Sequence, residues 1–164
     1  STAETTAPTE APQPEVEYAP EPTEEIIEIP AEVYFKANDG KKFRLSAECE
    51  RWEAASIKWT RPEVFRQFEN ENGQLCYAFW ITTKEELEDA IWFFDKKMQS
   101  YTRGVNVIKD FRDRWMIVYP YYDGHNSDYF VEPIEMYRST LEETLKAVQD
   151  TMSEVNKLIW EKNK

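Results

Sequence analysis

Asn72-Gly73-Gln74-Leu75-Cys76-Tyr77-Ala78-Phe79-Trp80-Ile81-Thr82-Thr83-Lys84-Glu85-Glu86 holds a turn, a strand and a helix start within fifteen residues. Asn-Gly is the favoured pair for a tight hairpin turn, because both turn positions need positive φ. Val64-Phe65-Arg66-Gln67-Phe68 lies before it and supplies the first strand. A short helix over residues 63–69, with Thr60 and Glu63 as a capping box and Pro62 in its first turn, is the competing reading; the hairpin is preferred. Residues 75–81 form the longest apolar run of the chain. A strand apolar on both faces belongs in the middle of a sheet, covered on both sides. Thr83 and Glu86 then make a capping box. Glu85, Glu86, Glu88 and Asp89 crowd the start of this helix and Lys96 and Lys97 its end, the polarity that the helix dipole favours. Leu87, Ile91, Phe94 and Met98 form its core stripe, and Gly104 lies past its stop.

The same order is expected on either side. Upstream, Val33-Tyr34-Phe35-Lys36-Ala37 and Lys41-Lys42-Phe43-Arg44-Leu45 flank Asn38-Asp39-Gly40, a hairpin signal. Ser46 follows as an N-cap, and a helix to about Ile57 would share Cys49, Trp52, Ala55 and Ser56 on one face. Downstream, Arg114-Trp115-Met116-Ile117-Val118-Tyr119 and Tyr129-Phe130-Val131 flank a turn at Asp123-Gly124-His125-Asn126. Pro120 cannot donate to a ladder and marks an edge or a bulge. Ser139 and Glu142 give a third capping box, opening a helix over residues 140–161. Its apolar residues Leu141, Leu145, Val148, Met152, Val155 and Ile159 are spaced 4, 3, 4, 3, 4, a heptad pattern. The expected fold is α+β: antiparallel hairpins each followed by a helix, ββα order three times, behind an extended N-terminal tail.

That tail is residues 1–30, and a single domain over 31–164 is expected to follow. The first 30 residues carry eight of the 32 acids, no Lys or Arg, and six of the nine prolines. Such a segment cannot bury enough apolar surface to offset its ordering entropy, so it reads as disordered or extended. It has neither the basic start and apolar core of a signal peptide nor the arginines of a transit peptide. The rest of the chain holds 24 acids and 20 bases and is only mildly acidic. No run of 18 apolar residues exists, so no membrane span is expected.

Composition also weighs against several chemistries. His125 is the only histidine and sits in a turn, a poor place to hold a catalytic base. Cys49 and Cys76 read as buried reduced thiols; they lack the spacing of a metal site. Glu53, Asp128 and Glu132 lie near aromatics as carboxylate candidates, an adjacency expected by chance among 32 acids. The four glycines form no phosphate-binding loop. Lys109, Arg112 and Arg114 form the densest basic stretch, diluted by Asp110 and Asp113, and the overall acidity opposes nucleic-acid binding. The reading is therefore no catalytic site, no cofactor, no metal, no nucleic acid and no membrane.

Tyr34-Phe35-Lys36-Ala37-Asn38-Asp39-Gly40-Lys41-Lys42-Phe43 with Ser46, Cys49, Trp52 and Glu53 resembles a short module: an aromatic, Asp-Gly-x-x-Phe, Ser, then Cys-x-x-aromatic-Glu. Small uncharacterised bacteriophage accessory proteins carry modules of this kind. The resemblance covers about 20 residues and brings no catalytic residue with it. It implies a phage-type structural or accessory protein, placed in the host cytoplasm or the virion.

Three stretches are suited to protein contacts. One is the acidic tail. Another is the Tyr-rich turn with Tyr119, Tyr121, Tyr122, His125 and Tyr129, whose composition is that of adaptable recognition loops; alternatively these tyrosines pack the sheet edge. The third is the end of the last helix, where Val155, Ile159 and Trp160 stay apolar beyond the reach of a six-residue strand. That end is to be covered by Trp92 and Phe93 of the same chain, by the same helix of another copy in a homo-oligomer, or by a different protein. The expected function is non-catalytic, through contacts with a virion component or a host protein. The alternative is inhibition of a host enzyme or defence factor, with the acidic tail or the acids at 85–89 as a charge decoy.

Overall fold

Phe35 opposite Phe43 and Phe79 opposite Met116 are the apolar pairs about which two separate sheets form. The structure is a computed structural model that describes residues 12–19, 33–122 and 127–163. Packing divides the chain into two units, Ser1–Ile57 and Lys58–Lys164, where the sequence suggested one domain over 31–164. Both sheets carry helices, so the fold is α+β with three helices.

In the first unit, β1 (Glu15–Tyr18), β2 (Val33–Lys36) and β3 (Lys42–Phe43) form an antiparallel sheet, followed by α1 (Ser46–Lys58). Part of the expected tail is therefore a paired strand: Val16 lies opposite Phe35 and Tyr18 opposite Val33. Residues 1–11 and 20–32 lie outside the described residues. The Asp-Gly turn is tied to α1 by side chains. Trp52 Nε1 donates to Asp39 Oδ2 at 2.8 Å, and Glu53 Oε1 accepts from the Asn38 amide at 3.1 Å. Phe43, Cys49, Trp52 and Ala55 are buried. The Asp-Gly, Trp and Glu of the module thus hold one hairpin onto one helix.

The second unit is built on a five-stranded sheet in the order β4-β5-β7-β8-β6. Its strands are β4 (Phe65–Glu69), β5 (Leu75–Ile81), β6 (Thr102–Arg103), β7 (Arg114–Tyr122) and β8 (Ser127–Pro133). The hairpin reading of 64–81 holds, with Phe65 opposite Phe79 and Glu69 opposite Leu75. α2 (Lys84–Met98) covers one face. Its Phe94 ring lies 5.0 Å from Tyr77, 6.3 Å from Phe79 and 4.8 Å from Tyr129. Trp59 is fully buried against Phe79 and donates from Nε1 to Asp89 at 3.0 Å. On the opposite face Cys76 and Ile117 pack with Tyr137 and Ile134, from the start of α3 (Ile134–Lys162).

Several expectations need correction. The simple ββα order three times is interrupted by β1 and β6. The second sheet is not wholly antiparallel, because β6 pairs with β8 in parallel. Thr102 is held there by Asp95, which accepts from its amide and its hydroxyl. Thr83 caps α2 as expected by accepting from the Glu86 amide, but the Glu86 carboxylate accepts from Thr82 rather than closing the box on Thr83. α2 ends with Gln99 as its C-cap at φ 50°, and Gly104, past that stop as expected, opens a 3-10 turn over Val105–Val107. Pro120 lies on the length of β7 that β5 does not reach, as an edge proline should. The last helix starts at Ile134, six residues before the expected Thr140. Pro133 ends β8 and fixes a φ of −57° for the helix entry. Ser139 is inside the helix and donates to the Glu135 carbonyl at 3.1 Å, a common resting place for a mid-helix serine.

Candidate protein-binding surface

α3 is 29 residues long, about 43 Å at 1.5 Å per residue. Tyr137 is its one residue classed as buried, and every residue from Arg138 to Asn163 is exposed. The heptad stripe is exposed with the rest: Leu141 is 36% accessible, Leu145 58%, Met152 52%, Val155 42% and Ile159 55%. Leu158 and Trp160 add to the apolar surface near the C-terminal end. Intrachain cover by α2 was one expectation for this stripe; instead Phe93 is buried within the second unit and the stripe remains accessible. Apolar residues in an uninterrupted row of this kind are a mark of interaction surfaces. The polar side of the helix is satisfied locally, with Arg138 paired to Glu142 at 3.6 Å and Lys157 to Glu154 at 3.5 Å.

The sheet separates the tyrosines that the sequence grouped together. Tyr129 faces α2, with its ring against Tyr77 and Phe94. Tyr119 lies on the other face, 4.9 Å from Tyr137 and 5.9 Å from Phe130, and donates to Glu132 at 3.2 Å. Tyr121 lies tilted against Phe130 at 6.0 Å and is exposed, and so is Tyr122. His125 and its turn lie outside the described residues. Of the expected contact residues, Tyr119 and Tyr129 therefore pack within the fold, while Tyr121, Tyr122, Val155, Ile159 and Trp160 are at the surface. Sequence reasoning missed how far back the exposed helix begins, because Ser139 looked like its cap.

Burial sets the ionisation of the groups near the base of α3. It pushes the Tyr137 phenol up to about 12 and raises Tyr119 further, helped by the adjacent Glu132 charge. Burial also raises Glu132, against the lowering effect of the Tyr119 hydrogen bond. The Cys76 thiol is raised by the same cause. Asp128 and Glu132 are four residues apart on one strand, roughly 13 Å, and Asp128 is bridged to Arg103 at 3.1 Å. Glu53 belongs to the first unit and caps the Asn38 amide.

The basic stretch is partly offset in place. Asp110 takes Arg112 at 2.6 Å and Arg114 at 3.5 Å, and the Arg112 hydrogen bonds hold its carboxyl down at about 2. A cavity of about 310 Å³ lies between the start of α2 and residues 105–111. Its Lys84 and Glu88 bridge one another at 3.8 Å. Among the described residues no group of three or more His, Cys, Asp or Glu is placed to hold a metal ion, and no helix is long and apolar enough to cross a membrane. In comparisons with known proteins the chain matches no family model, no curated protein and no solved structure.

Proposed function

We propose that the protein is non-catalytic and acts through protein–protein contacts made by α3, as a structural or accessory protein of the phage type that its first hairpin and helix suggest. The observation that carries the reading is the length of α3 from Arg138 to Asn163, exposed throughout with an unbroken apolar stripe. A helix of this kind gains little stability from its own backbone, and most helical stability in proteins comes from packing an apolar face. Cover for the stripe is therefore part of how the chain works. The pairing of Asp110 with Arg112 and Arg114 favours a protein partner over a nucleic acid, since it offsets part of the densest run of positive charge.

The charge-decoy alternative has less support at residues 85–89. Glu86 is engaged by Lys58 and Thr82, Glu88 by Lys84, and Asp89 accepts from Trp59. Those carboxylates serve the chain's own fold.

The test is a photo-activatable side chain at Met152, used on the full chain in lysate of its source. Covalent capture of protein, either another copy or a different chain, is the expected result. Absence of any protein cross-link from Met152, with cross-linking efficiency verified on a free helix, would overturn the proposal.

A further inference from the structure

We infer that the α3 stripe is covered by further copies of this chain, in a bundle of three or four α3 helices. This rests on the reading of α3 as the contact surface and names its partner. The spacing places Leu145, Met152 and Ile159 at heptad positions a, and Leu141, Val148 and Val155 at d. Positions e are then Glu142, Gln149 and Asn156, and positions g are Thr144, Thr151 and Leu158. Glu143, Lys146, Asp150, Glu154 and Lys157 fall at b, c and f, away from the seam. Helices that select a different partner do so largely through charges at e and g. Here Glu142 is the single charge on either flank. Identical helices can therefore meet along this seam without like charges facing each other over most of its length. From Arg138 to Lys162 the helix carries five acids and four bases, so little net charge opposes self-association.

The flanks themselves suit identical copies. In a parallel bundle each e residue lies beside a g residue of the next copy, so Gln149 and Asn156 can donate to the hydroxyl oxygens of its Thr144 and Thr151. The Thr144 hydroxyl donates to the Thr140 carbonyl at 3.0 Å, and Thr151 to Ala147 at 2.9 Å. Their donors are already satisfied within their own helix, so burying the g flank strands no hydroxyl. With Leu158, that flank widens the face beyond the two-position seam of a dimer. Within the seam, Leu145 at a before Val148 at d follows the pattern that shifts preference from two strands to three or four, whereas Leu141 at d and Ile159 at a follow the two-stranded one, so it is the width of the face that sets the number. Arg138 at a and Lys162 at d bring like charges together at both ends, which confines the contact to residues 141–159.

Sedimentation equilibrium of the full chain at micromolar concentration tests this. The expected mass is three or four times the 19.5 kDa of one chain. Val155→Glu with Ile159→Glu is expected to return it to a single chain with an unchanged near-ultraviolet spectrum, and Lys146→Glu at position b to leave the mass unaltered. A two-chain mass overturns the bundle, and an assembly that survives the double substitution overturns the seam. A single-chain wild type overturns the inference outright. If the Met152 probe then captures a different protein, α3 as a contact surface still stands; if it captures nothing, both fail.

Discussion

Glu132 spends its free energy unevenly with pH. Burial raises its pKa above the ordinary 4.5, while the bond from Tyr119 pulls the other way and loses. A carboxyl whose pKa is higher folded than unfolded favours the folded state in its neutral form. That contribution is complete below about pH 4.5 and is lost as pH rises through the raised value. Glu132→Gln keeps an acceptor for Tyr119 and removes the charge. Thermal denaturation is expected to show a higher midpoint for the variant at neutral pH and no gain in acid; a lower midpoint at neutral pH would contradict the burial argument. Trp59 makes a sharper case. Its indole is fully buried and donates to Asp89. Asp89→Ala leaves that donor unsatisfied and is expected to cost about 1–3 kcal/mol in urea denaturation. Asp89 read in the sequence only as a charge for the helix dipole. Its partner is 30 residues away, and no local pattern pairs them.

Elements with a strong local signal were legible, and those made by tertiary contact were not. Asn72-Gly73 and Asp39-Gly40 do lie in hairpin turns and the Thr83 cap is in place, but only the two glycines take positive φ. Each closes a four-residue turn, Gly73 donating to the Asn70 carbonyl and Gly40 to the Ala37 carbonyl, rather than the two-residue turn with both positions at positive φ. Strand β6 has two residues, too few for any period, and exists through its parallel partner β8 and the side chain of Asp95. Strand β1 does alternate, Glu15-Val16-Glu17-Tyr18, but the prolines and acids around it pointed to disorder. Ser139 is a residue type that caps helices or bonds the carbonyl four back, and sequence cannot choose between them. Gly104 shows the same limit. It lies past the stop of α2 as expected, but no local signal shows that its φ is +96° and that an added Cβ would stand 2.7 Å from the Val131 carbonyl oxygen. Gly73, at φ +72°, has open space around it. Gly73→Ala is expected to cost about 1 kcal/mol for the left-handed backbone alone. Gly104→Ala should cost more, within about 1–3 kcal/mol, because β6 and β8 must also part. Equal losses in paired chemical denaturation curves would contradict that reading.

In the molecule as a whole, the contact surface was half legible. Val155 and Ile159 could be named because the heptad stripe does not fade, and Trp160 because it keeps the helix end apolar beside the stripe, whereas the tyrosines could not be sorted without knowing which face of the sheet each would take. Since the stripe is exposed from Leu141 onward, charges placed on it should not disturb either unit. Val155→Glu with Ile159→Glu is expected to change the stability of the five-stranded sheet and α2 by less than about 0.5 kcal/mol, as for surface positions. An unfolded double variant would show these residues to be core. The most direct measurement is amide hydrogen exchange across residues 141–159, run on the full chain at low and high concentration. A helix with an uncovered face opens readily and exchanges fast. Covered by other copies, it is predicted to exchange slowly, more slowly at the higher concentration, and to lose that protection in the double variant. Fast exchange at both concentrations, indistinguishable from the double variant, would contradict the account.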